Sequence, residues 1–93
     1  MKGDSKMKET FEFIVSNPNG LHASIIDDLS NVASRYKADA YLQYHGKQVN
    51  LKSVMGVLSL GVPSKAKLTL ICEGEDAFEA MTAIAKKIEV LKV

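Results

Sequence analysis

His22, in the stretch Gly20-Leu21-His22-Ala23, is the side chain best placed to do chemistry. It follows a turn-forming cluster, Asn17-Pro18-Asn19-Gly20, and precedes a segment of helical periodicity. An imidazole at that junction faces free backbone N–H groups and the positive end of a helix dipole, both of which favour an anion such as phosphate. The residues that follow, Ser24-Ile25-Ile26-Asp27-Asp28, hold no cation and two carboxylates, so an anion held there has no charged partner close in sequence. Taken alone, His22 reads either as a polar helix cap or as part of an anion site. Ser53 is the second candidate. It stands where an N-cap belongs, before the short apolar run Val54, Met55, Val57, Leu58 and Leu60 that Gly61 and Pro63 end. A phosphate on its hydroxyl would add about two negative charges at a helix start, where they are tolerated.

The remaining reactive residue types have structural readings. His45 sits in His45-Gly46, a two-residue turn that tolerates positive φ, and no other metal-ligand residues converge on it in sequence. Cys72, the single cysteine, lies in an apolar strand-like run. It forms no internal disulfide or thiolate cage and is expected to be a buried, inert thiol. No metal and no cofactor is expected. With no second base, carboxylate pair or glycine-rich phosphate loop beside His22, the chain is not expected to be a stand-alone enzyme.

The elements that must position these groups follow from the spacing of apolar residues. Residues 1–8 read as a flexible polar leader and 9–93 as a single domain. Thr10 to Ser16 alternates, with Phe11, Phe13 and Val15 on one face, and predicts a strand. From Ala23 to Tyr36, Ile26, Leu29, Ala33 and Tyr36 recur at helical spacing, with Asp27 and Asp28 in the first turns and Arg35 and Lys37 at the end. Ala40 to Tyr44 and Lys47 to Leu51 form a hairpin around His45-Gly46, and Ser53 to Leu60 forms a helix of about two turns. Lys67 to Glu73 is a strand through Leu68, Leu70 and Cys72. Gly74-Glu75-Asp76 opens a last helix whose buried stripe is Ala77, Phe78, Met81, Ile84, Ala85, Ile88 and Leu91, with Lys86, Lys87 and Lys92 towards its C-terminal end. One layer of helices must therefore cover one face of a four-stranded, mostly antiparallel sheet, an α+β fold. The order resembles ferredoxin-type topology, except that the second crossover helix is short and a long helix follows the fourth strand.

Bulk properties exclude several function classes. The net charge of +1 gives no electrostatic case for nucleic acid or an anionic membrane surface. An RNA-binding sheet needs aromatic platforms, which Gln48, Val49, Asn50 and Leu51 do not provide. No apolar run approaches the roughly 20 residues of a membrane span, and the polar start has no signal-peptide core. A cytoplasmic protein is expected.

Two segments resemble the HPr family, the small histidine-containing phosphocarriers of the phosphoenolpyruvate-dependent sugar phosphotransferase system. Gly20-Leu21-His22-Ala23 matches the start of the family's active-site motif, and Asn50-Leu51-Lys52-Ser53-Val54-Met55-Gly56-Val57-Leu58-Ser59-Leu60-Gly61 matches its regulatory-serine motif almost throughout. The similarity runs from about Phe11 to Val90. The resemblance implies an open-faced β-sandwich, βαββαβα, with the sheet ordered 1-4-2-3 and three helices on one face. It implies that His22 accepts a phosphoryl group on Nδ1 from the system's first enzyme and passes it to sugar-specific components; on physical grounds, the backbone N–H groups that follow, at Ala23 and Ser24, are expected to contact the phosphate. It also implies that Ser53 is the target of an ATP-dependent HPr kinase/phosphorylase; independently, a two-turn helix this apolar cannot turn every side chain inward, and Val54, Met55 and Leu58 are the expected partner-docking surface.

The family follows its histidine with Ala, Arg and Pro, whereas His22-Ala23 is followed by Ser24 and Ile25. An arginine there supplies a charged fork of donors to the phosphoryl group; Ser24 supplies one neutral hydroxyl. Slow or absent transfer through His22 is the expectation. Two functions follow: a phosphocarrier using His22, or a regulatory binding module switched at Ser53, with a transcriptional regulator among its partners.

Overall fold

The computed structural model describes residues 7–93 as seven elements. These are β1 (Lys8–Ile14), α1 (Ala23–Ala33), β2 (Asp39–Tyr44), β3 (Lys47–Asn50), α2 (Val54–Leu58), β4 (Lys67–Glu73) and α3 (Ala77–Leu91). The four strands form one antiparallel sheet in the order β1-β4-β2-β3, and the helices lie over one face, as the topology argument requires. Most of the proposed leader lies outside the described residues. Its last residue, Lys8, already pairs with Glu73 in β1.

Register explains the alternation of each strand. Leu70 lies opposite Phe11 on one side and Leu42 on the other, and Leu68 lies opposite Phe13. These residues share the helix-covered face, with Leu42, Leu68, Leu70 and Cys72 fully buried. Phe11 faces the same way but stays partly exposed, because β1 is the sheet edge. On the open face Thr69 lies between Glu12 and Gln43, and Ile71 between Thr10 and Tyr41. The hairpin turn is as expected: His45 (φ 51°) and Gly46 (φ 79°) are both left-handed, and the His45 ring packs edge-on against Tyr44 with centroids 4.2 Å apart.

Three sequence expectations need correction. First, α1 ends at Ala33, so Arg35 and Lys37 lie beyond it, and Asp27 and Asp28 fall in its second turn, too far along to interact strongly with the N-terminal dipole. Second, the buried residues of α3 are Ala77, Ala80, Met81, Ile84 and Ile88, and Phe78 is 60% exposed. The stripe is rotated towards Ala80, since Ala77, Ala80, Ile84 and Ile88 already complete the face that packs on β1, β4 and α1. Phe78→Ser is therefore expected to change unfolding free energy by no more than about 0.5 kcal/mol, against the ~3–5 kcal/mol typical of truncating a buried phenylalanine; urea unfolding measures the difference. Third, the last turn of α3 holds no basic residue: Lys86 and Lys87 lie before it, and Lys92 follows it as the C-cap in a left-handed conformation (φ 53°).

Asp76 precedes α3, but its carboxylate does not cap that helix. It reaches across to accept from the Lys37 N–H (2.9 Å) and the Ala38 N–H (2.7 Å), pinning the chain where α1 leads into β2. The Lys37 N–H chiefly holds the Asp76 carboxyl below its ordinary value; Ala38 N–H, its own N–H and the Lys52 charge add to this, and desolvation opposes it. Protonation is thus easier in the unfolded chain. The contribution of Asp76 is full above the ordinary carboxylate range and is lost as pH falls through its lowered value. In urea titrations the gap in stability between the wild type and Asp76→Asn is expected to narrow as pH drops below about 4.

Candidate functional site

The His22 loop owes its shape to Gly20. Gly20 is left-handed (φ +72°), and a β-carbon there would lie 2.5 Å from the Val62 carbonyl oxygen. This close approach lets Leu21 N–H bond the same Val62 oxygen at 3.0 Å, tying the histidine loop to the segment leaving α2. Leu21 is buried beneath, so the next residue, His22, is held half-buried at the N-cap of α1.

The imidazole does not cap the helix. The His22 carbonyl accepts the N–H groups of Ile25 and Ile26, both at 3.1 Å, while its side chain makes no capping bond. Among the described residues, the Ala23 and Ser24 N–H groups have no protein acceptor. The ring meets the exposed Ser24 instead, with Oγ 3.0 Å from Nδ1. Either the hydroxyl donates to an unprotonated Nδ1, leaving the ring proton on Nε2, or a protonated Nδ1 donates to the hydroxyl. Both arrangements occupy the nitrogen that the sequence motif points to.

Ile25 is 5% exposed and belongs to the core. Asp27 and Asp28 lie three and four residues after Ser24, on the same side of α1, at about 5–6 Å between β-carbons. The N-terminal end of α1 is thus followed by two carboxylates.

Ser53 is the N-cap of α2, and its Oγ accepts the Gly56 N–H at 3.2 Å. The preceding loop is fixed twice: Asn50 Oδ1 accepts the Lys52 N–H at 2.8 Å, and Lys52 Nζ bonds the Tyr36 carbonyl at 2.9 Å. Gly56 is the residue whose role the sequence reading missed. A β-carbon there would lie 3.2 Å from Ser53 Oγ, so glycine keeps the hydroxyl uncrowded. Within α2, Val57 is buried, Met55 is 76% exposed, Leu58 is exposed and Val54 is half-buried. The α2 surface therefore presents Met55 and Leu58, while Val57 anchors it to the core. Cys72 is buried as expected, and burial pushes its thiol up to about 11, so it stays protonated at neutral pH. No group of three or more metal-ligating side chains occurs among the described residues.

A family model described as the PTS HPr component phosphorylation site matches residues 9–89. The chain belongs to the HPr family. Its fold is shared by solved HPr structures. The histidine-containing phosphocarrier protein of Mycoplasma is 28% identical, covering 90% of this chain and 96% of its own, with a TM-score of 0.88. HPr of Bacillus anthracis is 36% identical, covering 86% and 95%, with a TM-score of 0.78. The catabolite-repression protein Crh of Bacillus subtilis is 37% identical, covering 78% and 84%, with a TM-score of 0.70. The family comprises phosphocarriers of the phosphotransferase system, and among the described residues of this HPr-family chain no helix is long and apolar enough to cross a membrane.

Proposed function

We propose that this chain is an HPr-type phosphocarrier in which His22 takes a phosphoryl group from the first enzyme of the phosphotransferase system and hands it to a sugar-specific component, at a reduced rate. The observation that carries this reading is the half-exposed imidazole beside two unpartnered N–H groups, those of Ala23 and Ser24, at the start of an 11-residue helix. Transfer forms an N–P bond at Nδ1 as the bond between phosphorus and the donor breaks. The protein's task is to position the group and soften its charge. The Ala23 N–H and the Ser24 N–H and Oγ are the available donors. The rate is low for three reasons. Nδ1 must first release Ser24 Oγ, no cation stands at position 24, and Asp27 and Asp28 repel a dianion. Incubation with phosphoenolpyruvate and a catalytic amount of first enzyme tests this. Slow labelling confined to His22 is expected. No labelling of wild type under conditions that fully label an ordinary HPr would refute it, and so would labelling as fast as that HPr.

A second reading is favoured by the exposed Met55 and Leu58 beside Ser53. Here the chain is a regulatory binding module, resembling Crh in role as well as in fold, and phosphorylation of Ser53 by an HPr kinase/phosphorylase changes its affinity for a transcriptional regulator or another protein. The two readings separate on which residue takes phosphate: His22 from phosphoenolpyruvate, or Ser53 from ATP.

A further inference from the structure

A groove of about 290 Å³ runs between α1 and α3, away from both motif segments. Val32, Ala83 and Val90 supply its apolar surface, and Arg35, Lys86 and Lys87 its charge. Val90 is a large aliphatic side chain left 63% exposed there. The whole chain holds 12 Lys and Arg against 11 Asp and Glu, so three cations in one groove form a local excess. Carboxylates are present on the same two helices at Asp27, Asp28, Glu79 and Glu89. Yet among the described residues the only ion pair joins Lys67 of β4 to Glu12 of β1, neither of which lines the groove, so the three cations remain available to a ligand.

We propose that this groove docks an acidic amphipathic segment of a partner protein. A small anion would use the cations and leave Ala83 and Val90 uncovered beside the buried Val32. The groove is at the small end of ligand-sized cavities, roughly 300–1,000 Å³, and lies open between two helices. A helix laying apolar side chains along the seam, with carboxylates flanking them, satisfies both surfaces. Ala83 and Val90 are seven residues apart on α3, about 10 Å, which matches two turns of such a helix. Val32 is ten residues from His22, about 15 Å along α1, so the groove can be filled while His22 remains accessible. Docking here tethers a partner without competing for the phosphoryl site, and the inference does not depend on which reading of His22 and Ser53 holds.

The test uses the full chain labelled with nitrogen-15 and a synthetic helical peptide of about four turns. The peptide carries leucine at every third or fourth position and glutamate beside each leucine. Amide shifts are expected at Val32, Arg35, Ala83, Lys86, Lys87 and Val90, with affinity falling as salt is added. Lys86→Glu at an exposed position and Lys87→Glu at a half-buried one together should weaken binding about tenfold or more. They should also create binding to a peptide with lysine in place of glutamate. The proposal is overturned by shifts centred on α2, by binding that the double variant leaves unchanged, or by inorganic phosphate alone producing the same shifts at similar concentration.

Discussion

Replacing Ser24 with arginine is expected to raise the rate of phosphoryl uptake by His22 about a hundredfold, because one charged transition-state donor is worth ~3 kcal/mol. Position 24 is right for this. It is exposed, it lies in the first turn of α1, and its present side chain already reaches Nδ1 at 3.0 Å. A guanidinium there would have Asp27 and Asp28 three and four residues downstream, at the spacing that pairs charges on a helix. Part of the gain is then spent on those carboxylates, so S24R combined with D27N and D28N should exceed S24R alone. Ser24→Ala frees the Nδ1 lone pair but also deletes one phosphoryl donor, each worth about one neutral hydrogen bond, so uptake should change by less than about fivefold. Ile25→Pro, which would complete the family motif, should not help. Ile25 is buried and its N–H bonds the His22 carbonyl, so the change costs about 2 kcal/mol or more of stability with no new donor. Initial rates of phosphoenolpyruvate-dependent labelling separate these variants. An S24R protein no faster than wild type would show that the missing charge is not what limits His22.

The parts of this protein legible in its sequence are those where periodicity and turn chemistry act locally. Leu68, Leu70 and Cys72 alternate because β4 is a central strand with one covered face, and His45-Gly46 accepts the two left-handed conformations the hairpin needs. Ser53 reads as a cap and is one. The failures occur where tertiary partners decide. Phe78 has the spacing of a core residue, yet Ala77 and Ala80 meet the sheet and leave it outside. Asp76 has the type and place of an N-cap, but its carboxylate is drawn to Lys37 and Ala38, nearly forty residues earlier. At the candidate site, the helix start and the lack of a cation were readable from residues 20–28. The Ser24–Nδ1 contact was not, although a serine two residues after a histidine at a helix start is within reach of it. The role of Gly56 is likewise a matter of 3.2 Å of space above Ser53 Oγ, which sequence spacing does not reveal.

If the regulatory reading holds, Ser53→Ala is expected to abolish ATP-dependent labelling by an HPr kinase and to cost about 1 kcal/mol of stability, because Oγ, the helix cap, would also be the phosphoryl acceptor. Ser53→Asp separates these functions, since aspartate caps as well as serine but cannot be phosphorylated. It should retain stability, lose labelling and carry part of the charge of the phosphorylated form. Gly56→Ala probes access to the hydroxyl: its β-carbon would press on Ser53 Oγ, so labelling should slow while the hydroxyl remains. Met55→Ala tests docking. A side chain 76% exposed contributes little to folding, and so stability should stay within about 0.5 kcal/mol of wild type. Truncating an interface anchor commonly costs ~2 kcal/mol, about thirtyfold in affinity, so recognition by the kinase or by a partner of the Ser53-phosphorylated form should suffer while the fold does not. Kinase labelling, urea unfolding and partner affinity measured on the same four variants distinguish a switch from a cap. If S53A loses stability but the wild type is never labelled, Ser53 is a cap alone, and the regulatory reading of the α2 surface falls with it.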